Sequence, residues 1–194
     1  MNAMNVHELS LGVAPVRYIP RFLACEEATV LFDRLRTEVP WERRVSRVYG
    51  RDISVPRSEV WVADRPYTYS GRTYQPHPWT PALLEVKKDV ERLASSVFNS
   101  VLLNLYQNGN DSVGWHADDE PEMSHDHPIA SVSLGATRSF QLRKGKGPVQ
   151  TIELAHGSLL LMEAGMQREW KHQVPKTKKL CEPRINLTFR WMVF

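Results

Sequence analysis

From residue 100 onward the chain is a succession of short strand-like runs: VLLNLY, IASVSLG, SFQLRK, VQTIELA, SLLLM and INLTFRWMVF. Gly, Pro or charged residues part most of them. Closely spaced short strands of this kind, coming after a helical start, predict a β-sandwich or barrel braced by helices. The helical start has two pieces. CEEATVLFDRLRTEV carries apolar residues at helical spacing, with acids early and Arg later, which suits the helix dipole. In WTPALLEVKKDVERLASSVFN, Thr80 can cap and Pro81 fits the first helical position, while Leu83, Leu84, Val90 and Leu93 fall largely on one face. The segment between them, WERRVSRVYGRDISVPRSEVWVADRPYTYSGRTYQP, is rich in Arg, Tyr, Gly and Pro and reads as short strands and loops.

At 194 residues the chain suits one domain with a substantial core, and 42% hydrophobic residues with six Trp favour a globular protein over a disordered one. A formal charge of +3, from 25 basic against 22 acidic residues, permits a nucleic-acid partner without demonstrating one. Cys25 and Cys181 have no CxxC neighbour, so a disulfide framework or zinc-thiolate site is disfavoured and a reducing cytosol is the expected compartment. The first residues lack the pattern of a secretory signal, and no run reaches the length of a membrane span. A soluble intracellular monomer is expected. No Gly-rich phosphate loop of the required spacing occurs, which disfavours nucleotide-cofactor folds.

The run NSVLLNLYQNGNDSVGWHADDE stops at a Gly/Asn/Asp loop and then presents His116, Asp118, Asp119 and Glu120 almost together. In an extended segment, residues two apart point the same way, so His116 and Asp118 can converge on one cation. A solvated acidic turn is the alternative, and His-x-Asp alone is a weak signal. Among the other histidines, His7 and His77 precede the strand-rich region, and His125 and His127 sit in a polar connection that reads as exposed loop. Gly157 beside His156 suggests a turn that satisfies the imidazole internally. His172, in EWKHQVP, is therefore the candidate third ligand. Two imidazoles and one carboxylate form the facial set typical of non-haem iron(II), with positions left open for substrate and oxygen.

The last strand offers an independent test. In PRINLTFRWMVF, Arg184, Asn186, Thr188 and Arg190 alternate with Ile185, Leu187, Phe189 and Trp191. A solvated edge strand would show the same alternation. Beside a metal, two guanidinium forks make a receptor for a dicarboxylate, and Asn104 and Tyr106 share a face from which they could donate hydrogen bonds to the same guest. A metal short of ligands next to such a receptor predicts 2-oxoglutarate as cosubstrate.

The ordered set NLYQNGNDSVGWHADDE, PIASVSLGATRSF, LAHGSLLLM, His172 and PRINLTFRW resembles the AlkB family of Fe(II)/2-oxoglutarate-dependent nucleic-acid dealkylases. VYGRDISVPR, YTYSG and PWTPALL extend the resemblance upstream more faintly. It implies an α+β, mainly β fold: a double-stranded β-helix, jelly-roll-like, braced by the N-terminal helices. Residues 1–194 would form one dioxygenase domain, with 41–79 a nucleotide-recognition lid and 100–194 the catalytic core. The resemblance implies iron held by His116, Asp118 and His172, and cosubstrate contacts from Asn104 and Tyr106. Arg184 would take the distal carboxylate of 2-oxoglutarate and Arg190 the carboxylate beside the keto group, with Asn186 between them. The implied reaction consumes dioxygen and 2-oxoglutarate, yields succinate and carbon dioxide, and releases the N-methyl group of an alkylated base as formaldehyde.

An alkylated base in DNA, or in RNA as a second candidate polymer, must leave its stack to reach buried iron. Tyr67 and Tyr69 are the candidate stacking residues, against the alternative that they pack over the core. Tyr49, set among arginines, is a candidate for intercalation, against the alternative of an exposed basic hairpin. Glu120 matches a family position that contacts the exocyclic amino edge of the base, which favours 1-methyladenine or 3-methylcytosine. Arg43, Arg44, Arg47, Arg51 and the RKGKG cluster are candidates for phosphate contacts. Trp115, just before the His-x-Asp, either narrows the base pocket or packs behind it. Two rival functions stay open: an oxygenase acting on a protein side chain or small molecule, and a non-catalytic nucleic-acid-binding domain. An intact ligand set with both arginines counts against the second.

Overall fold

The structure is a computed structural model that describes residues 15–43, 45–48, 51–54, 56–69 and 72–193; for 45–48, 51–54, 67–69 and 72–74 the description is of the backbone. In chain order it contains β1 Val16–Ile19, α1 Cys25–Glu38, β2 Val45–Val48, β3 Arg51–Ser54, β4 Ser58–Ala63, β5 Tyr67–Tyr69, β6 Arg72–Tyr74 and α2 Pro81–Ala94. Then follow β7 Ser100–Tyr106, β8 Val113–His116, β9 Ile129–Gly135, β10 Arg138–Lys144, β11 Gln150–Leu154, β12 Ser158–Met162, β13 Trp170–Val174 and β14 Arg184–Arg190. A 3-10 turn, Met166–Arg168, leads into β13.

Both helices start where the local chemistry dictates. Glu27 accepts the Ala24 N–H ahead of α1, and the Thr80 hydroxyl accepts the Leu83 N–H at the start of α2, with Pro81 at its first position. Ser95, in the left-handed region at φ 49°, ends α2. The buried stripe of α2 is Ala82, Leu83, Val86, Val90 and Ala94. Leu84 is not part of it. One residue on from Leu83 it is turned about 100° around the axis and is 48% exposed.

The strands form two antiparallel sheets, one of six strands in the order β1-β12-β9-β14-β7-β4 and one of four in the order β11-β10-β13-β8. This is the helix-braced sandwich that the strand pattern predicts, and the jelly-roll-like form that the resemblance implies. α1 and α2 pack on one face of the larger sheet, where Leu35, Leu83, Val90, Leu103, Val132 and Phe189 share a core. Each such side chain contributes roughly 1.5–3 kcal/mol by leaving water. A second core, including Tyr18, Phe140, Leu142, Leu160 and Trp170, fills the space between the sheets. β14 is central, flanked by β9 and β7, so it is not a solvated edge. Ile185, Leu187 and Phe189 face the helices at 0% exposure, while Arg184, Asn186 and Thr188 point to the other side and are buried too.

Within 41–79, β4 pairs with β7 and belongs to the large sheet, while β2–β3 and β5–β6 are hairpins forming small sheets of their own. Tyr49 and Arg44 lie outside the described residues. Tyr67 and Tyr69 sit in β5, opposite Tyr74 and Arg72; their side chains, with those of Arg47 and Arg51, also fall outside the description.

Candidate metal centre

The site begins with a strand pairing. β8 runs antiparallel to β13 with His172 opposite His116 and Val174 opposite Val113, so Gly114 and Trp115 together face the single residue Gln173. This bulge bends β8 at its end, as bulges near reactive sites do, and re-aims the side chains that follow. The two imidazoles lie with centroids 4.2 Å apart, and the Phe140 ring stacks on His172 at 5.2 Å. Just beyond the strand, Asp118 brings Oδ1 to 3.8 Å from His116 Nε2. One ligand atom from each of His116, Asp118 and His172 lies within 4.8 Å of the others.

Protonation suits these atoms to a cation. His116 Nδ1 is 2.8 Å from the Gly114 carbonyl, which can only accept, so Nδ1 carries a hydrogen and Nε2 is the atom turned toward Asp118. Burial pulls the His172 pKa from 6.5 to about 4, against the opposing pull of Asp118, so its ring is neutral at pH 7. Burial alone would raise the Asp118 carboxyl. Arg190, by its charge and hydrogen bonds, outweighs it together with the two nearby imidazoles and holds the group at about 2, below its ordinary 3.8. Two imidazoles and an ionised carboxylate fit a first-row divalent metal, and the set matches the one favoured by iron(II) with open positions. Asp118 is held from behind: Arg190 donates from Nη2 and Nε to Oδ2 at 2.7 and 3.2 Å.

The triad opens into a cavity of about 260 Å³. Asn104 and Tyr106 of β7 and Asn186, Thr188 and Arg190 of β14 are on its wall, the inward faces of two neighbouring strands. Arg184 is not on the wall. It lies behind, its guanidinium 5.1 Å from the centre of the Tyr106 ring, and is 1% exposed. Its Nη2 donates to Ser133 Oγ and Asn186 Oδ1, while Nε and Nη1 are buried with no hydrogen-bond partner among the described residues. Asn186 also accepts from Ser131 and donates to Thr188, so its amide is used within the strands. A buried guanidinium with two idle donors and no carboxylate is costly, and an anionic guest would relieve that cost.

Glu120 is half-buried on the cavity wall, and burial raises its carboxyl above the ordinary 4.5. Glu122 lines the cavity as well, and Oε2 of each glutamate is buried without a partner among the described residues. Only Asp119 of that acidic run is exposed. Trp115 packs away from the cavity, under the Arg143 guanidinium at 4.2 Å. Arg43 is engaged by Asp111 at 3.1 Å, and Lys144 by Glu169 at 2.9 Å. His127 is not simply a loop residue; it stacks on Trp191 at 5.1 Å. His156 accepts the Gly135 N–H at Nδ1 and meets Thr29 through Nε2, a structural role.

β4 adds residues to the wall beyond those that stand out in the sequence. Arg57, Glu59 and Trp61 also line the cavity, and Arg57 donates to Asn104 Oδ1 at 2.7 Å. The signal was present: in PRSEVW these three residues alternate with period two, like the face of β14.

Residues 15–190 match the 2OG-Fe(II) oxygenase superfamily. Alpha-ketoglutarate-dependent dioxygenase alkB homolog 3 of Homo sapiens is 42% identical over 200 residues, covering 96% of this chain and 70% of that protein. DNA oxidative demethylase ALKBH2 of Homo sapiens is 42% identical over 179 residues, covering 84% of this chain and 68% of that protein. The solved structure of OsALKBH1 shares the fold with a TM-score of 0.67 at 17% identity, over 92% of this chain and 97% of that one.

Proposed function

The chain belongs to the AlkB family within the 2OG-Fe(II) oxygenase superfamily and is a dioxygenase that depends on iron(II) and 2-oxoglutarate, and from this premise we propose that it demethylates N-alkylated bases oxidatively. The substrates proposed are bases of the 1-methyladenine and 3-methylcytosine type, in DNA and, as a second polymer, in RNA. The observation that carries the reading is the convergence of His116, Asp118 and His172 at a cavity backed by the Arg184 guanidinium, whose Nε and Nη1 lack a hydrogen-bond partner among the described residues. A binding module needs neither feature.

His116 through Nε2, Asp118 through its carboxylate and His172 through its ring would hold the metal. Arg184 would take the distal carboxylate of 2-oxoglutarate, with Asn186 fixing its fork. Arg190 would take the carboxylate beside the keto group while keeping Asp118 oriented, and Asn104 and Tyr106 would donate from the neighbouring strand. When bound, iron(II) with 2-oxoglutarate supplies the oxidation: dioxygen is consumed, succinate and carbon dioxide form, and the N-methyl carbon is hydroxylated and lost as formaldehyde. This chain's contribution is position and exclusion of water. Glu120 would accept from the exocyclic amine of the flipped base, and Tyr67 and Tyr69 would stack on it, with Tyr49 entering the duplex. All ligand-bearing residues come from one chain, so a monomer suffices. The free Cys25 and Cys181 support a reducing compartment such as the cytoplasm.

The test is anaerobic iron loading followed by 2-oxoglutarate, oxygen and a methylated oligonucleotide, read as mass loss from the base. Loss of one methylene mass per lesion with formaldehyde release is expected, abolished in His116→Ala and collapsed in Arg184→Ala. Succinate formation without any loss of methyl would shift the assignment to a protein or small-molecule substrate.

A further inference from the structure

Asp118 lies past the end of β8, where its N–H has left the strand ladder. A buried N–H without an acceptor is costly, so its partner matters. That partner is Gln167, whose Oε1 accepts the Asp118 N–H at 3.1 Å. Gln167 is 6% exposed and sits in the 3-10 turn that leads into β13, five residues before His172. Its amide nitrogen is directed at Met162 Sδ, 3.5 Å away, a weak acceptor, which leaves the oxygen to serve Asp118. The turn is itself fixed, since Gly165 adopts φ 77° and donates its N–H to the His125 carbonyl at 2.8 Å.

We propose that Gln167 is a positioning residue of the metal centre: through the Asp118 N–H it ties the loop carrying the carboxylate to the turn that launches the His172 strand. Arg190 fixes the carboxylate end of Asp118 and Gln167 its backbone end, so the side chain is held at both ends while it faces the two imidazoles. The strand pairing of β8 with β13 sets the distance between the histidines. It does nothing for Asp118, which lies outside the ladder. The inference rests on the metal assignment proposed above.

Cobalt(II), titrated into the full-length metal-free protein and followed by its visible ligand-field absorption, tests both. Gln167→Met keeps the volume and removes the oxygen acceptor. Its cobalt dissociation constant is expected to rise about tenfold or more, with an altered band shape. Gln167→Glu retains an acceptor at the same reach and is expected to bind at least as tightly as the parent. Thr80→Ala, which removes the α2 cap far from the centre, serves as the stability control and is expected to melt lower with an unchanged cobalt isotherm. An unchanged isotherm and band in Gln167→Met, or equal losses in the Met and Glu variants, overturns the positioning role alone. Parent protein that takes no cobalt, or takes it equally in His116→Ala, overturns the metal assignment and this role with it.

Discussion

Burial sets the titration of His172, and neighbouring charge overrides it at Asp118. His172 has its pKa lowered to about 4 in the folded chain, against 6.5 for an exposed ring. Between those values the unfolded chain holds the proton and the folded chain does not, so stability falls as pH drops through this window, by up to roughly 3 kcal/mol. Asp118 runs at lower pH: its stabilisation is present above 3.8 and is lost as pH falls toward about 2. In the metal-free protein, NMR of the His172 ring is expected to show a midpoint near pH 4, and a midpoint near 6.5 would contradict the buried placement. Arg184 makes a separate case. Because its Nε and Nη1 have no hydrogen-bond partner among the described residues, Arg184→Met is expected to leave the ligand-free melting temperature unchanged or higher. The same variant should lose the stabilisation that 2-oxoglutarate gives the metal-loaded parent, read by thermal shift. At this scale His116 and Asp118 stand out in the sequence by their spacing, and Arg184 and Arg190 by alternation. Gln167 has no such mark, because its partner is a backbone N–H that only the folded loop brings near.

Among the elements, the helices were the most legible, since cap and first-turn chemistry are local, and only Leu84 fell off its expected face. β14 was legible as alternation but not as a central strand, because two buried faces look like one buried and one polar face when the polar residues are paired. β4 lies in a stretch that reads as short strands and loops, and nothing local marks this strand as a member of the large sheet. The turn after β9 carries a sharper constraint. Gly135 has φ +85°, and a Cβ there would press on the Pro183 carbonyl oxygen and the Phe32 ring. Gly135→Ala is expected to cost at least about 2 kcal/mol, from backbone strain and the clash together. Chemical denaturation measures it. Because Pro183 precedes Arg184, 2-oxoglutarate affinity should fall in the same variant.

For the molecule as a whole, the helix-braced two-sheet architecture follows from the order of runs in the sequence, but the convergence of the ligands does not. His116 and His172 meet only because β8 pairs with β13 in one register, and no local pattern encodes that partnership. Guests that bind only this arrangement stabilise all of it. At a thousand times its dissociation constant a ligand adds about 4 kcal/mol, which for a domain of this size raises the melting temperature by roughly 10 °C. Calorimetry with cobalt and 2-oxoglutarate should show such a shift for the parent and none for His172→Ala. The bulge opposite Gln173 gives the pairing a further consequence. Sliding β13 by a single step would turn residue 172 outward and scatter the chelating set. A metal that binds only the native alignment therefore stabilises that register over any slipped one.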